Sequence, residues 1–151
     1  MLRLVVVSSL LVCIVTPFDP LNSHGGIFRP LQLSQNDVRL VSRLHATASY
    51  HQLFDFITER LRVLKTVTPE EKKRIERFLL KNRPPTVMKG FLDEADRNYI
   101  AVRHAHGDIA ESMGVVEKAI LRLPSTDRRK VVEYIWKSPE PYMLEHFGLE
   151  P

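Results

Sequence analysis

Tyr50-His51-Gln52-Leu53-Phe54-Asp55-Phe56-Ile57-Thr58-Glu59-Arg60-Leu61-Arg62-Val63-Leu64 decides the fold class of this chain. Tyr50, Leu53, Phe54, Ile57, Leu61 and Leu64 recur at steps of three and four, the spacing that puts side chains along one stripe of an α-helix. Gln52, Asp55, Glu59 and Arg62 fall between them and suit a wet face. A half-buried strand needs strict alternation of apolar and polar residues, and this stretch does not have it. A striped helix of about four turns is stable only if other stripes cover it, so the rest of the chain must supply partner helices.

It supplies them on both sides. Upstream, Val38, Leu40, Val41 and Leu44 predict a short helix with Asn36 or Ser34 as its cap. Downstream, Thr68-Pro69-Glu70-Glu71 is a strong helix start. Thr68 fits the N-cap, Pro69 the first helical position, and Glu71 the reciprocal partner of a capping box. Ile75, Phe78 and Leu79 form the buried face of that helix, and Asn82-Arg83-Pro84-Pro85 ends it, because prolines cannot continue a helix. Val87, Met88, Phe91 and Leu92 predict one or two further turns. Tyr99, Ile100 and Val102 carry a helix toward Gly107, and Ile109, Met113, Val116, Ile120 and Leu123 carry another. With Gly107 and Gly114 in this region, the two segments read either as two helices or as one bent helix. Ser125 is expected to cap the last long helix, through Val131, Val132, Ile135 and Trp136, which Pro139 and Pro141 close. Residues 26–34 read as an irregular leader, and Tyr142 to Phe147 as a final turn. Asn-Gly and Asp-Gly hairpin turns are absent. The expected fold is all-α, a single compact multi-helix domain over residues 26–151.

The first 25 residues read differently. Met1-Leu2-Arg3 is a short positive start, and the apolar run Leu4 to Val15 is interrupted only by Ser8 and Ser9. Such a run is too short to span a bilayer as a helix but suits a secretory signal. Ser23-His24-Gly25 places small residues for cleavage before Gly26, so residues 1–25 are the expected signal peptide and the product is expected to be secreted and extracellular. The single cysteine, Cys13, lies inside that segment, so the mature chain has no disulfide.

Composition narrows the function classes. Twenty-two Lys and Arg against 18 Asp and Glu leave a formal charge of +4, spread along the chain. A nucleic-acid binder more often carries a concentrated basic stripe, so no nucleic-acid partner is expected. The chain has no P-loop, no GxGxxG and no GxSxG elbow, and the reading is not an enzyme. His104-Ala105-His106 with Asp108 is the densest group of metal-ligating residues, but a spacing of two puts the two histidines on different helix faces. No metal, catalytic residue or cofactor is expected.

The stretch from Tyr50 to Lys137 resembles the nematode fatty-acid- and retinol-binding proteins, which are small secreted helical lipid carriers. The match lies in helix order: an amphipathic helix, a helix opened by Thr68-Pro69-Glu70-Glu71-Lys72, the block from Val87-Met88-Lys89-Gly90-Phe91-Leu92 through Ile109 and Val116, and Leu121-Arg122-Leu123-Pro124 with the helix after it. Trp136 and the prolines Pro84, Pro85, Pro139 and Pro141 depart from the family pattern. A second secreted nematode family of short helical proteins has a comparable layout. The resemblance implies non-catalytic binding of a long-chain fatty acid or retinol in an apolar interior, and the mild basic charge suits transient contact with an acidic membrane surface. The resemblance also implies phosphorylation at Thr68, where the residues themselves read as a capping box. The expected lining is Leu53, Phe54, Ile57, Leu61, Phe78, Phe91, Ile109, Met113, Val116 and Ile120. Periodicity does not separate a filled core from a lined cavity. The alternative is therefore a secreted helical interaction protein with a filled core that acts through its surface.

Overall fold

The computed structural model describes residues 23–151, so residues 1–22 of the signal peptide expected over 1–25 lie outside the described residues. Every regular element among the described residues is helical, which bears out the all-α class. None of these helices is long and apolar enough to cross a membrane. They sort into two compact units, one covering the described residues up to Pro84 and the other Pro85–Pro151.

The first unit begins with a single helical turn, α1 (Ser23–Gly26), and a 3-10 turn, Arg29–Leu31. Three amphipathic helices follow: α2 (Gln35–Ala46), α3 (Tyr50–Val63) and α4 (Pro69–Lys81). Ser34, the second of the two expected caps, opens α2. Its hydroxyl accepts the Asp37 N–H at 3.1 Å, and the Asp37 carboxylate accepts the Ser34 N–H at 3.0 Å. Thr68 and Glu71 open α4 in the same way, at 3.2 and 2.9 Å. Arg60 on α3 reaches Asp37 on α2 at 2.6 Å and ties the two helices together. Leu53, Ile57 and Leu61 recur every fourth residue on α3 and are buried against Val41 and Leu44 of α2 and Ile75 of α4. The leader expected to be irregular takes part in this core: Phe28 and Leu31 are fully buried, and the Phe28 ring meets Phe78 edge-on at 5.3 Å. Burying such a side chain contributes about 1.5–3 kcal/mol, so the leader is a structural element of this unit.

The second unit opens with a 3-10 turn, Thr86–Lys89, then α5 (Glu94–Ala105), α6 (Ile109–Leu121), α7 (Ser125–Trp136) and α8 (Pro141–His146). The region read as two helices or one bent helix is two. Gly107 adopts φ +78°, a left-handed conformation that glycine takes without steric cost, and the chain reverses there. Asp93 caps α5 by accepting the Asp96 N–H at 2.7 Å, with Glu94 and Asp96 in the first turn near the positive end of the helix dipole. Ser125 does not cap α7. It is the first helical residue, Pro124 precedes it as cap, and no side chain caps that end. Buried Met88, Leu92, Ile100, Val116, Ile120, Val131 and Val132 form the apolar interior of this unit, joined by Met143, Leu144, Phe147 and Leu149 from the chain end.

Candidate functional site

The ten side chains expected to line a lipid chamber divide between the units. Leu53, Phe54, Ile57, Leu61 and Phe78 belong to the first, and Phe91, Ile109, Met113, Val116 and Ile120 to the second. In the first unit Leu53, Ile57 and Leu61 are core members, with Phe54 and Phe78 packed against them. In the second, Met113, Val116 and Ile120 are buried, while Phe91 and Ile109 are half-buried. Ile109 packs on Met113 beside Trp136 and Tyr142. Ile57 and Ile120 are 0% exposed. A side chain with no accessible surface touches no space wide enough for a water molecule, so neither borders an open chamber in this conformation.

Among the described residues, two depressions open on the surface. Along α5 and α6 runs a surface groove of about 560 Å³, lined by Ala95, Asp96 and Tyr99 from one helix and Glu111, Gly114, Val115 and Lys118 from the other. The α6 contributors fall at i, i+3, i+4 and i+7, one face of the helix. Gly114 forms a notch in the middle of that face, where a Cβ would meet nothing within 4 Å. Tyr99 is 41% exposed, Val102 one turn further along α5 is 55% exposed, and Leu121 one turn beyond Lys118 is 41% exposed. Tyr99 lines the groove, and Val102 and Leu121 extend the exposed apolar surface along the same two helices, the kind of surface that marks an interaction site.

The rim of the groove is charged and orderly. The Tyr99 hydroxyl donates to Glu111 Oε2 at 2.9 Å, and Arg103 Nε reaches the same oxygen at 3.1 Å. The Arg103 guanidinium also lies 5.1 Å over the Tyr99 ring and 3.3 Å from Asp108. Asp108 and Tyr99 raise the Arg103 pKa above the ordinary arginine range by hydrogen bonding to its charged form, with Glu111 adding to the effect. Arg122 stands 3.6 Å from Asp96. Across the groove, Lys118 has no side-chain partner among the described residues. The expected histidine cluster lies at this end of α5, where the His106 ring sits 2.7 Å from the Val102 carbonyl. Among the described residues, no three His, Cys, Asp or Glu side chains converge for a metal ion.

A second depression, of about 550 Å³, lies between the start of α7 and the chain end, lined by Ser125, Thr126, Arg129, Lys130, Glu133, Gly148, Leu149 and Glu150. Arg128, beside Arg129 of this lining, is half-buried and engaged with backbone. Its guanidinium donates to the carbonyls of Leu121 at 3.1 Å, Leu123 at 2.9 Å and Phe147 at 2.7 Å. These carbonyls lie at or just beyond the ends of α6 and α8, where backbone acceptors lack helical partners. Nothing at this depression suggests chemistry beyond fastening the chain end. In comparisons with protein families, curated proteins and solved structures, nothing matches this chain.

Proposed function

We propose that this chain is a secreted, non-catalytic helical protein with a filled interior that works by docking a macromolecular partner on the open face of α5 and α6. The observation that carries this reading is a contrast in exposure. Ile57 and Ile120, at the centre of the expected lipid lining, have no accessible surface, whereas Tyr99, Val102 and Leu121 are open to solvent beside a groove. Exposing such residues opposes solubility unless they serve contact with something else.

The experiment that separates this from the fatty-acid or retinol carrier is a titration of the purified chain with fatty acids of rising length and with retinol. Calorimetry is the primary readout. Trp136, the sole tryptophan, is the second, since its ring lies 5.5 Å from Phe147 and packs on Met113. A surface protein is expected to give no saturable binding at any chain length. A carrier gains up to about 0.8 kcal/mol per buried methylene, so its affinity climbs steeply from short to long acids until the chamber is full. Saturable, length-dependent binding overturns the surface reading and restores the carrier.

A further inference from the structure

The groove between α5 and α6 carries a charge pattern with a consequence for its occupant. Its two outer positions on α6 are Glu111 and Lys118, and its centre is Gly114 with Val115. These numbers are symmetric about a point between Gly114 and Val115. If a second α6 crosses antiparallel on a two-fold axis at that point, each Glu111 faces the other copy's Lys118, and each Gly114 faces a Val115. An isologous contact requires such self-complementarity, since every residue pair occurs twice.

The side chains are prepared for it. Lys118 is exposed and uncommitted among the described residues. Among the described residues Glu111 spends only Oε2, on Tyr99 and Arg103, and these contacts hold the carboxylate at the rim. Gly114 gives the notch that lets two helix backbones approach closely. Its own fold makes no demand for glycine, because its φ is not left-handed and a Cβ would stand in open space. A mid-helix glycine is less favourable than alanine, so its presence here is explained by what comes close from outside.

We propose that the partner docked on this face is a second copy of the chain, paired α6 to α6 through reciprocal Glu111–Lys118 contacts around Gly114. This rests on the surface reading above and names its partner. Surface ion pairs contribute little each, so the charges set register and the apolar rim of Tyr99, Val115 and Leu121 supplies most of the attraction. A contact of a few helical turns lies at the small end of specific interfaces, below about 1,200 Å², and implies a reversible dimer with a micromolar dissociation constant.

The test is sedimentation equilibrium of the full purified chain across micromolar to submillimolar concentrations, with far-UV circular dichroism to confirm folding. Wild type is expected to show a reversible monomer–dimer equilibrium. Lys118→Glu turns two attractions into two repulsions and is expected to weaken the dimer at least tenfold, as is Glu111→Lys. Mixing those two variants places Glu111 opposite Lys118 on one side and Lys opposite Glu on the other, so a heterodimer forms where neither variant self-associates. Gly114→Trp, whose Cβ would meet nothing within 4 Å in its own fold, fills the notch and abolishes the dimer even if Glu111→Lys fails to fold, with circular dichroism confirming that the tryptophan variant folds. A wild type that stays monomeric throughout, or dimers indifferent to Lys118→Glu and Gly114→Trp, overturns the proposal. A monomer that also binds no fatty acid overturns only the self-pairing. Saturable fatty-acid binding instead removes the surface reading on which the self-pairing rests.

Discussion

Thr68→Ala removes one acceptor from the start of α4. The Thr68 hydroxyl accepts the Glu71 N–H at 3.2 Å, while the Glu71 carboxylate independently accepts the Thr68 N–H at 2.9 Å. Alanine deletes the first bond and leaves the second in place. Little else fixes this end of the helix: Ile75 is the only fully buried residue on α4, with Phe78 and Leu79 half-buried one turn further on. Water reaches the exposed cap and recovers part of the lost bond, so the cost is set at about 1 kcal/mol, inside the range of about 0.5–2 kcal/mol for N-cap losses. In a cooperative unit of about 60–100 residues that lowers Tm by roughly 4–8 °C. The assay is thermal and urea unfolding of unphosphorylated bacterial protein, followed by circular dichroism. Thr68→Ser and Thr68→Asp keep an acceptor at the same place and are expected to unfold close to wild type. If Thr68→Ala is as stable as wild type, the capping argument fails and a regulatory use of Thr68 gains ground. If Thr68→Ser loses as much as Thr68→Ala, the methyl group matters rather than the hydroxyl.

Two further outcomes follow from the same structure. Burial pushes the Asp37 carboxyl up, but hydrogen bonds from the Ser34 backbone and hydroxyl and from Arg60 outweigh it and hold the group below the ordinary carboxylate range. The Thr68 backbone N–H, followed by its hydroxyl, does the same for Glu71. A carboxyl whose folded pKa is depressed stabilises fully above its unfolded value and loses that contribution as pH falls through the folded one. The urea midpoint is therefore expected to hold between about pH 7 and 5 and to drop below about pH 4. Asp37→Asn with Glu71→Gln should flatten that drop, and an unchanged acid limb would show that other groups control it. Arg128→Met keeps the apolar stem but deserts the carbonyls of Leu121, Leu123 and Phe147. A loss of about 1–3 kcal/mol and faster amide hydrogen exchange over residues 147–149 are expected, and unaltered exchange there would refute the fastening role.

The helices and most of their ends were legible in the order of residues, because those depend on neighbours three and four residues away. The stripe of α3, the Thr68–Glu71 box and the proline stop after α4 all act within a turn or two, and each was legible. Phe28 and Leu31 were not legible as core, since two apolar residues in a glycine- and proline-bearing leader carry no period. Only the packed helices show that they are fully buried. Arg128 was hidden for a related reason: its partners are carbonyls up to 19 residues away, and carbonyls leave no mark in a sequence. The candidate groove was half legible. Glu111, Gly114 and Lys118 share a helix face by spacing alone, but whether that face is covered depends on which side α6 turns toward its unit's interior. Tertiary packing buried Met113, Val116 and Ile120 and left Gly114 in the open. The same packing closed the space around Ile57 and Ile120, because an apolar stripe states only that something must cover it, and the fold supplies neighbouring side chains for that purpose.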